Sequence, residues 1–492
     1  MHIFYFKIIR LHKVEMLNIV VILVLVAYFA LLLLVSRFLQ RKKHDSNATF
    51  FTAGRNASWW VVSIGMIGAS VSGVSFLSVP GLVQGIGFQY MQTVLGFVLG
   101  YVVIAKVLLP VYYRLKSPSI YEFLLNRYGK KAYKTGAWYF LVSKLCGTAA
   151  KVYVIALVLH SLAFASLGVP FVVTAMLIVL MIWLYTRRGG LDTIVWTDVL
   201  QTVFMVLALV MIIAWFVGEM QLDAESVMAL VLDSEWSKWI ELDDWSSRQH
   251  FVKQFLSGAF IALVMTGLDQ DMIQKNRAIR TLEQSQRNMY WYGSAFVPLN
   301  FLFLLLGVLL LQYSTVKGIV LPANPDEYLP FFVSGGYFGV LVSVCFVVGV
   351  VAATFSSADS SLTSLTTSYC VDIAEKQDDV NYRKRVHVAF GVLLVGLIVL
   401  IEQVNSRSLI DLIYVMVSYT YGPLLGLFAF GLFTRREACD KAIPYISIAS
   451  PLLCCGVEVM CRYALGYSFG YELLILNGAI TFVGLWLVSK KG

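Results

Sequence analysis

Residues 67–81 read IGASVSGVSFLSVPG. Three glycines, four serines and Pro80 interrupt a run that is otherwise apolar. A membrane-spanning helix can break at such a stretch, and the freed backbone carbonyls can then ligate a cation. The alternative is that the small residues allow close packing against a neighbouring helix. The stretch therefore predicts a transmembrane helix that is either broken or tightly packed at this point.

The composition places the chain in a membrane. Of its 492 residues, 59% are hydrophobic and 14% are charged, against about 25% charged residues in ordinary soluble domains. Lipid must therefore solvate much of the surface. The net charge of +9 is typical of basic cytoplasmic loops rather than of nucleic-acid binding. The seven cysteines form no CxxC pair and predict neither a disulfide framework nor a metal site other than one for sodium.

Thirteen stretches are apolar and long enough to cross a bilayer, which takes roughly 20 residues. They lie at about 17–39, 59–86, 90–113, 134–166, 169–186, 191–218, 249–268, 289–313, 336–371, 386–403, 408–433, 441–464 and 471–488. Basic residues collect in the odd-numbered connections, including Lys275 and Arg277 after the seventh stretch. Because cytoplasmic loops are rich in Lys and Arg, the pattern predicts a multi-pass protein of the cell membrane with its N-terminus outside and its C-terminus in the cytoplasm.

Two segments lie outside this regular pattern. Residues 219–248 are acidic and are predicted to form an extracellular or periplasmic loop with a short amphipathic helix, placing three tryptophans at the membrane interface: Trp236, Trp239 and Trp245. Basic residues at 41–43 follow the first stretch, which favours a retained helix at 17–39 over a signal peptide. We interpret residues 1–16 as an N-terminal extension that ends at a natural start, Met16.

Polar groups inside the predicted spans are costly and therefore informative. In the ninth stretch, four polar residues recur at spacings of three and four and share one helical face: Ser356, Asp359, Ser360 and Thr363. Oxygen atoms of this kind are the ligands that hard cations prefer. Serines that bond back to their own helix explain the hydroxyls but not Asp359, a buried charge that needs a partner. In the sixth stretch Asp198 is a second carboxylate within a predicted span, and Gln201 follows three residues later. The alternative is that Asp198 caps the helix or pairs locally near the membrane interface.

Two lysines lie inside the fourth stretch. Lys144 and Lys151 are seven residues apart, nearly two turns, and so point the same way. Lys151 is near mid-span and cannot easily reach water. It needs either an ion pair, with Asp198 or Asp359, or the carboxylate of a bound substrate.

Several motifs, taken with these residues, resemble the sodium:solute symporter family over residues 50–436. They are FTAGR at 51–55 with SWW at 58–60, Pro80-Gly81, PVYYRL at 110–115 with YEFLLNR at 121–127, Gly189-Gly190 with Thr197-Asp198 and Gln201, Asp269-Gln270 with Gln274 and Arg277, and Ser356-Ser357 with Asp372-Ile373. The resemblance implies an all-α integral membrane protein of about thirteen transmembrane helices with a LeuT-type core. That core is two inverted five-helix repeats, at 59–218 and 249–433, with one helix at 17–39 before them and two at 441–488 after them.

The resemblance also implies ion sites. The shared sodium site would use the carbonyls of Gly68, Val71 and Ala353 and the hydroxyls of Ser356 and Ser357. A second cation site, present in some members, would use Asp198, Ser356, Asp359 and Ser360. Family members usually have a hydroxyl at the position of Asp359, so this carboxylate departs from the pattern and would strengthen the second site, bind a proton or pair with a lysine.

For the substrate, the predicted contacts are Ser72, Ser75, Gln89, Gln92, Lys144, Lys151, Tyr414 and Tyr419. Sugar carriers of the family have a charged or amide pair where this chain has Gly73-Val74-Ser75, which argues against a galactose-type site.

We therefore predict a sodium-coupled symporter that uses one or two sodium ions and no organic cofactor to import a small organic anion, such as a sugar acid or monocarboxylate. A neutral sugar or polyol is the alternative substrate. A channel, or a transporter-like sensor acting with a partner, is the alternative of another class. The sequence has no phosphate-binding loop, HExxH or GxSxG motif, and so does not predict an enzyme.

Overall fold

The computed structural model describes residues 2–40, 50–51, 57–115, 117–403 and 409–490. Met1, the basic residues at 41–43, motif residues 52–55 and Lys116 lie outside these ranges. The α-helices are α1 His2–Gln40, α2 Trp59–Ser70, α3 Gly73–Ile86, α4 Tyr90–Val103, α5 Leu109–Tyr112, α6 Glu122–Arg127, α7 Lys130–Leu159, α8 Phe171–Glu219, α9 Ala224–Leu232, α10 Phe251–Ala262, α11 Gln270–Arg277, α12 Leu282–Lys317, α13 Tyr328–Ser334, α14 Val340–Ser368, α15 Val380–Glu402, α16 Leu409–Phe433, α17 Ile443–Leu465 and α18 Leu473–Val488.

The helices agree with a multi-pass membrane protein. In the described residues, nine helices are long and apolar enough to cross a bilayer, or eleven if each of two bent pairs is one span. Two shorter apolar helices, Phe171–Arg187 and Leu473–Val488, lie at the fifth and thirteenth predicted stretches. The all-α architecture is confirmed, and the total of thirteen spans stays a prediction.

Two spans are broken near their middle. Helices α2 and α3 meet at 63°, because Val71 and Ser72 between them have extended backbones. The break predicted within residues 67–81 is therefore confirmed. The second break separates α10, continued by a π-turn at Leu263–Gly267, from α11 at an angle of 64°.

The second break corrects the predicted loop after the seventh stretch. Lys275 and Arg277, assigned to a cytoplasmic connection, lie in α11 and are 1% and 7% exposed. The prediction was wrong because the chain turns at the break and continues as a short polar helix inside the protein. Lys275 therefore does not contribute to the topology pattern.

Helix α8 combines the fifth and sixth predicted stretches. It bends at Gly190, whose backbone has a positive φ of 52°, a conformation that favours glycine. A Cβ atom at this position would also collide with Cα of Phe50. The segment before α2 is thus held against the bend.

The helices that carry the predicted ion ligands are neighbours. Helix α14 packs most extensively against α8, and α1 contacts both. Residues 2–16, the proposed extension, belong to α1, and their interpretation as an extension stays a prediction.

The remaining connections are short or irregular. In the segment 219–248, α9 provides the predicted short helix, but the tryptophans lie beyond its end, and Trp239 stacks on Phe88 with ring centroids 4.4 Å apart. Strand β1 (Glu437–Ala438) pairs antiparallel with β2 (Ser489–Lys490). All seven cysteines are free thiols.

Candidate functional site

Residues from both helix breaks line one central cavity of about 120 Å³. Ala69 and Ser70 at the end of α2 contribute to it, as does Asp269 at the second break. The other walls come from α4, α7, α10, α12, α14 and α16. A site at the junction of two broken helices is the usual arrangement in secondary transporters.

Asp269 organises one wall of the cavity. Its carboxylate caps α11 by accepting from the backbone N–H groups of Asp271 and Met272 at 2.9 and 3.3 Å, which suits the positive end of a helix dipole. It also accepts from Lys144 Nζ at 3.1 Å and from the hydroxyl of Tyr421 at 2.7 Å. Lys144 further lies 2.9 Å from Asp271 Oδ2. The charge of Lys144 is therefore neutralised within the protein.

Lys151 differs from Lys144 in this respect. It is half-buried and lines the same cavity, yet it makes no ion pair or hydrogen bond within the described part of the chain. Of the two alternatives that the sequence left open for Lys151, the ion pair with Asp198 or Asp359 is therefore not the one found here. Its ammonium group remains available to a ligand in the cavity.

A second buried ion pair lies between α8 and α11. Lys275 Nζ is 2.7 Å from Asp198 Oδ2, and the side chains are 1% and 0% exposed. The other oxygen of Asp198 accepts from the Ser356 hydroxyl at 2.6 Å. On the same face of α14, Ser360 donates to Asp271 Oδ2 at 3.1 Å. A polar network therefore connects the cavity wall to the helix pair α8–α14.

Two of the residues predicted for the shared sodium site, Gly68 and Ser356, come close together next to the first break. A Cβ atom on Gly68 would lie 3.2 Å from Ser356 Oγ, so the end of α2 lies directly against α14. Among the described residues, the carbonyls of Gly68 and Val71 accept no hydrogen bond. The Ser356 hydroxyl donates to Asp198, and its oxygen keeps lone pairs that can ligate a cation. The Ser357 hydroxyl donates to the carbonyl of Thr354 at 3.1 Å. Ala353 is buried one turn earlier on α14.

The residues predicted for the second cation site have separate partners. Ser356 bonds to Asp198 and Ser360 to Asp271, while Asp359 Oδ2 accepts from the Tyr185 hydroxyl at 3.0 Å. The other oxygen of Asp359 is buried without a hydrogen-bond partner. The described residues include no cluster of three His, Cys, Asp or Glu side chains suited to a metal ion.

Further buried polar groups lie near Asp359. The side chain of Gln201 is fully buried beside the hydroxyls of Tyr28 and Tyr185. The hydroxyl of Thr363, one turn after Asp359 on α14, has no hydrogen-bond partner among the described residues. Buried polar groups normally have partners, so this region between α1, α8 and α14 is a departure from ordinary packing.

Only part of the predicted substrate set reaches the cavity. Lys144, Lys151 and Tyr414 line it, and Ser72 lies buried in the first break. The rest, which are Ser75, Gln89, Gln92 and Tyr419, are not among the lining residues. The side-chain amide of Gln92 donates to the Gln249 carbonyl at 2.9 Å and accepts from the Glu241 backbone amide at 3.3 Å, so it contacts residues between α9 and α10. Tyr419 instead donates to Glu458 on α17 at 2.5 Å.

Sequence reasoning missed the groups that neutralise these charges. Asp269 was noted only as part of a motif and Lys275 only as a basic residue of a cytoplasmic connection, while Asp271, Tyr185 and Tyr421 were given no role. The available signal was the charged stretch DQDMIQK at 269–275, directly after an apolar run. It resembles the start of a loop, and only the packing shows that it is a buried helix.

Comparisons with known proteins agree with this architecture. Residues 50–320 match the sodium:solute symporter family. The chain belongs to this family of membrane transporters, as the motifs predicted. It is 23% identical over 438 residues to the sodium/sialic acid symporter NanT of Aliivibrio fischeri, covering 85% of this chain and 84% of that protein. It is 24% identical over 462 residues to the sodium/glucose cotransporter of Vibrio parahaemolyticus, covering 86% and 82%.

Among solved structures, the chain is similar to a sodium-coupled sialic acid symporter in its substrate-bound, outward-open state. The TM-score is 0.80 at 18% sequence identity, and the match covers 96% of this chain and 99% of that one. The LeuT-type fold predicted from the motifs is therefore confirmed.

Proposed function

We propose that this sodium:solute symporter imports a small organic anion, such as a sugar acid or a monocarboxylate. The observation that carries the proposal is Lys151, an ammonium group on the cavity wall without an ion-pair partner among the described residues. A charge within the membrane is retained only where it pairs or functions. The similarity to a sialic acid symporter supports an acidic substrate.

For sodium, we propose the site at the first break. The carbonyls of Gly68 and Val71 lie at the C-terminal end of α2, where the helix dipole is negative. They have no hydrogen-bond donor among the described residues. Together with the Ala353 carbonyl and the hydroxyls of Ser356 and Ser357, they offer the all-oxygen environment that a hard cation requires.

A second ion would have to compete with Lys275. That lysine occupies one oxygen of Asp198, so a cation ligated by Asp198, Ser356, Asp359 and Ser360 requires the ammonium group to move or to share the carboxylate. The unpartnered oxygen of Asp359 supports a role for this residue in binding. Replacement of Asp359 by Asn should lower the number of sodium ions carried per substrate, measured as the reversal potential in proteoliposomes. An unchanged ratio would leave only the shared site.

The proposed mechanism is alternating access around the central cavity. The repeats 59–218 and 249–433 would rearrange about the two breaks, with the N-terminus outside and the C-terminus in the cytoplasm. The membrane potential contributes about 2.3 kcal/mol per charge per 100 mV. Coupling requires that sodium and substrate strengthen each other's binding. The hydrogen bond of Ser356 to Asp198 at 2.6 Å supports such coupling, because it would connect the proposed ion site to the polar network that reaches the cavity.

The test is uptake into proteoliposomes by wild type and Lys151→Gln, across sugar acids, monocarboxylates, neutral sugars and polyols. A hydrogen bond to a charged group is worth about 1.5–3 kcal/mol, so KM for an anionic substrate should rise roughly 10- to 100-fold. Lys238→Gln, at an exposed position in the external segment, is the matched control and should transport normally.

Each other outcome has a distinct meaning. Full transport of an anion by Lys151→Gln removes the argument for an anionic substrate. Accumulation of a neutral sugar alone favours the alternative that the Vibrio parahaemolyticus relative suggests. Flux without saturation or accumulation would indicate a channel.

A further inference from the structure

Two apolar grooves on the outer surface meet at the first turns of α7. One, of about 790 Å³, runs between α7, α16 and α17 and includes Trp138, Tyr139, Val142 and Ile448. The other, of about 380 Å³, runs between α7, α15 and Tyr369 directly after α14, and includes Trp138, Val142, Phe390 and Leu393. Trp138 and Val142 belong to both grooves and are each 49% exposed. Together they form a ridge between two channels that open toward lipid.

Basic side chains border both grooves at one end. Lys130, Lys131 and Lys134 line the larger groove and Arg385 lines the smaller one. The acidic groups nearby are Asp440, which is held by the backbone N–H groups of Lys131 and Ala132, and Glu375. Four basic groups therefore face two acidic ones. Arg385 is exposed and has no ion pair within the described residues.

We propose that this surface binds one anionic phospholipid. Its phosphate lies over the Trp138–Val142 ridge between Lys134 and Arg385, and one acyl chain occupies each groove. The charge of the rim complements an anionic headgroup, and the apolar walls complement the chains. Basic pockets between transmembrane helices are a known way of recognising such headgroups, and aromatic side chains are favoured at the depth of the headgroups.

The apolar walls of the two grooves favour a lipid over a free anion as the ligand. A small phosphate would use only the rim, which is exposed to water, and surface charges there are strongly screened. The grooves extend from the rim along Leu141 and Leu145 on one side and Ile448 on the other. A lipid that occupies these grooves also buries its acyl chains, which a free phosphate cannot do.

Glu375 is the main competitor for the lysines. Its Oε1 atom lies 2.9 Å from Lys130 Nζ and 3.2 Å from Lys134 Nζ. Hydrogen bonds from Lys130 and Lys134 lower the pKa of Glu375, so it stays ionised near neutral pH. All three side chains are exposed, and exposed ion pairs are weak. A phosphate over the ridge can therefore share these lysines, and it meets no competitor for Arg385 among the described residues.

The experiment compares lipids with identical chains on the delipidated full-length protein. Phosphatidylglycerol and phosphatidylcholine are titrated separately, and bound lipid is counted by native mass spectrometry. One basic residue near a membrane surface is worth about 1 kcal/mol. Wild type should therefore prefer phosphatidylglycerol, and Lys134→Gln combined with Arg385→Gln should reduce that preference about 30-fold, which corresponds to about 2 kcal/mol.

Controls separate headgroup, chain and general charge effects. Lys238→Gln with Lys317→Gln removes two exposed charges elsewhere and should leave the preference unchanged. Val142→Phe enlarges a side chain that lines both grooves without removing charge. It should therefore lower the affinity of this surface for both lipids. Glycerol 3-phosphate should not compete with phosphatidylglycerol.

Three results would overturn the proposal: equal affinity for both lipids in wild type, an unchanged preference in the Lys134/Arg385 variant, or full competition by glycerol 3-phosphate. The last would mean that the rim binds a free phosphate group rather than a lipid.

Discussion

The buried pair of Lys275 and Asp198 allows the sharpest prediction of stability. At 2.7 Å, the Coulomb attraction amounts to about 6 kcal/mol for an effective dielectric constant of ~20, but loss of hydration offsets several kcal/mol. Removal of one partner leaves an uncompensated buried charge, at a cost of about 3–5 kcal/mol. Lys275→Met and Asp198→Leu should each destabilise the protein by about this amount. The combined variant should recover most of the loss, because an apolar pair needs no compensation.

The assay is a double-mutant cycle on the free energy of unfolding, measured by chemical denaturation in detergent and potassium buffer, so that no sodium occupies the site. The exposed pair of Lys130 and Glu375, 2.9 Å apart, is the matched control and should show a coupling of at most about 1 kcal/mol. Additive losses in the buried cycle, or single losses of less than about 1 kcal/mol, would refute the assignment of a buried, mutually compensating pair.

Two further predictions concern the bend in α8 and the two lysines of α7. Gly190→Ala should lower stability by about 1–3 kcal/mol, since the positive φ and the approach of Phe50 leave no room for a Cβ atom; Gly218→Ala, with open space around it, is the control, and equal melting temperatures for both variants would contradict the prediction. Lys144→Met should cost about 3–5 kcal/mol, because it leaves the two aspartates of the second break unpaired. Lys151→Met should leave the stability unchanged or raise it in the absence of substrate, since it removes a charge without an ion-pair partner. Chemical denaturation of both variants measures their free energies of unfolding, and similar losses would contradict the different roles of the two lysines.

The fold was largely accessible from the sequence. Apolar runs and basic connections predicted the membrane helices, and the glycines and serines of residues 67–81 predicted a break that the structure places at Val71 and Ser72. The second break was harder to see, because Lys275 and Arg277 follow an apolar run as loop residues do. Their burial depends on partners distant in sequence, such as Asp198, and periodicity carries no information about those contacts.

The site was accessible only in part. Asp198, Asp359 and the lysines were recognised because charge is rare within a membrane span. Which carboxylate pairs with which lysine was not, because that choice depends on how α7, α8 and α11 pack. The sequence therefore left the partner of Lys151 open, and the structure shows that Asp198 pairs with Lys275 instead.

The most direct test of the proposed ion site is the melting temperature of the purified protein in sodium and in potassium, for wild type and Ser356→Ala. Ser364→Ala is the matched control, since Ser364 is a buried serine on the same helix whose hydroxyl donates to the Ser361 carbonyl at 2.9 Å. Sodium should raise the melting temperature of wild type and Ser364→Ala relative to potassium, and this difference should vanish in Ser356→Ala. Equal melting temperatures of wild type in the two salts, or a sodium effect that survives in Ser356→Ala, would contradict the assignment of the sodium site at the first helix break.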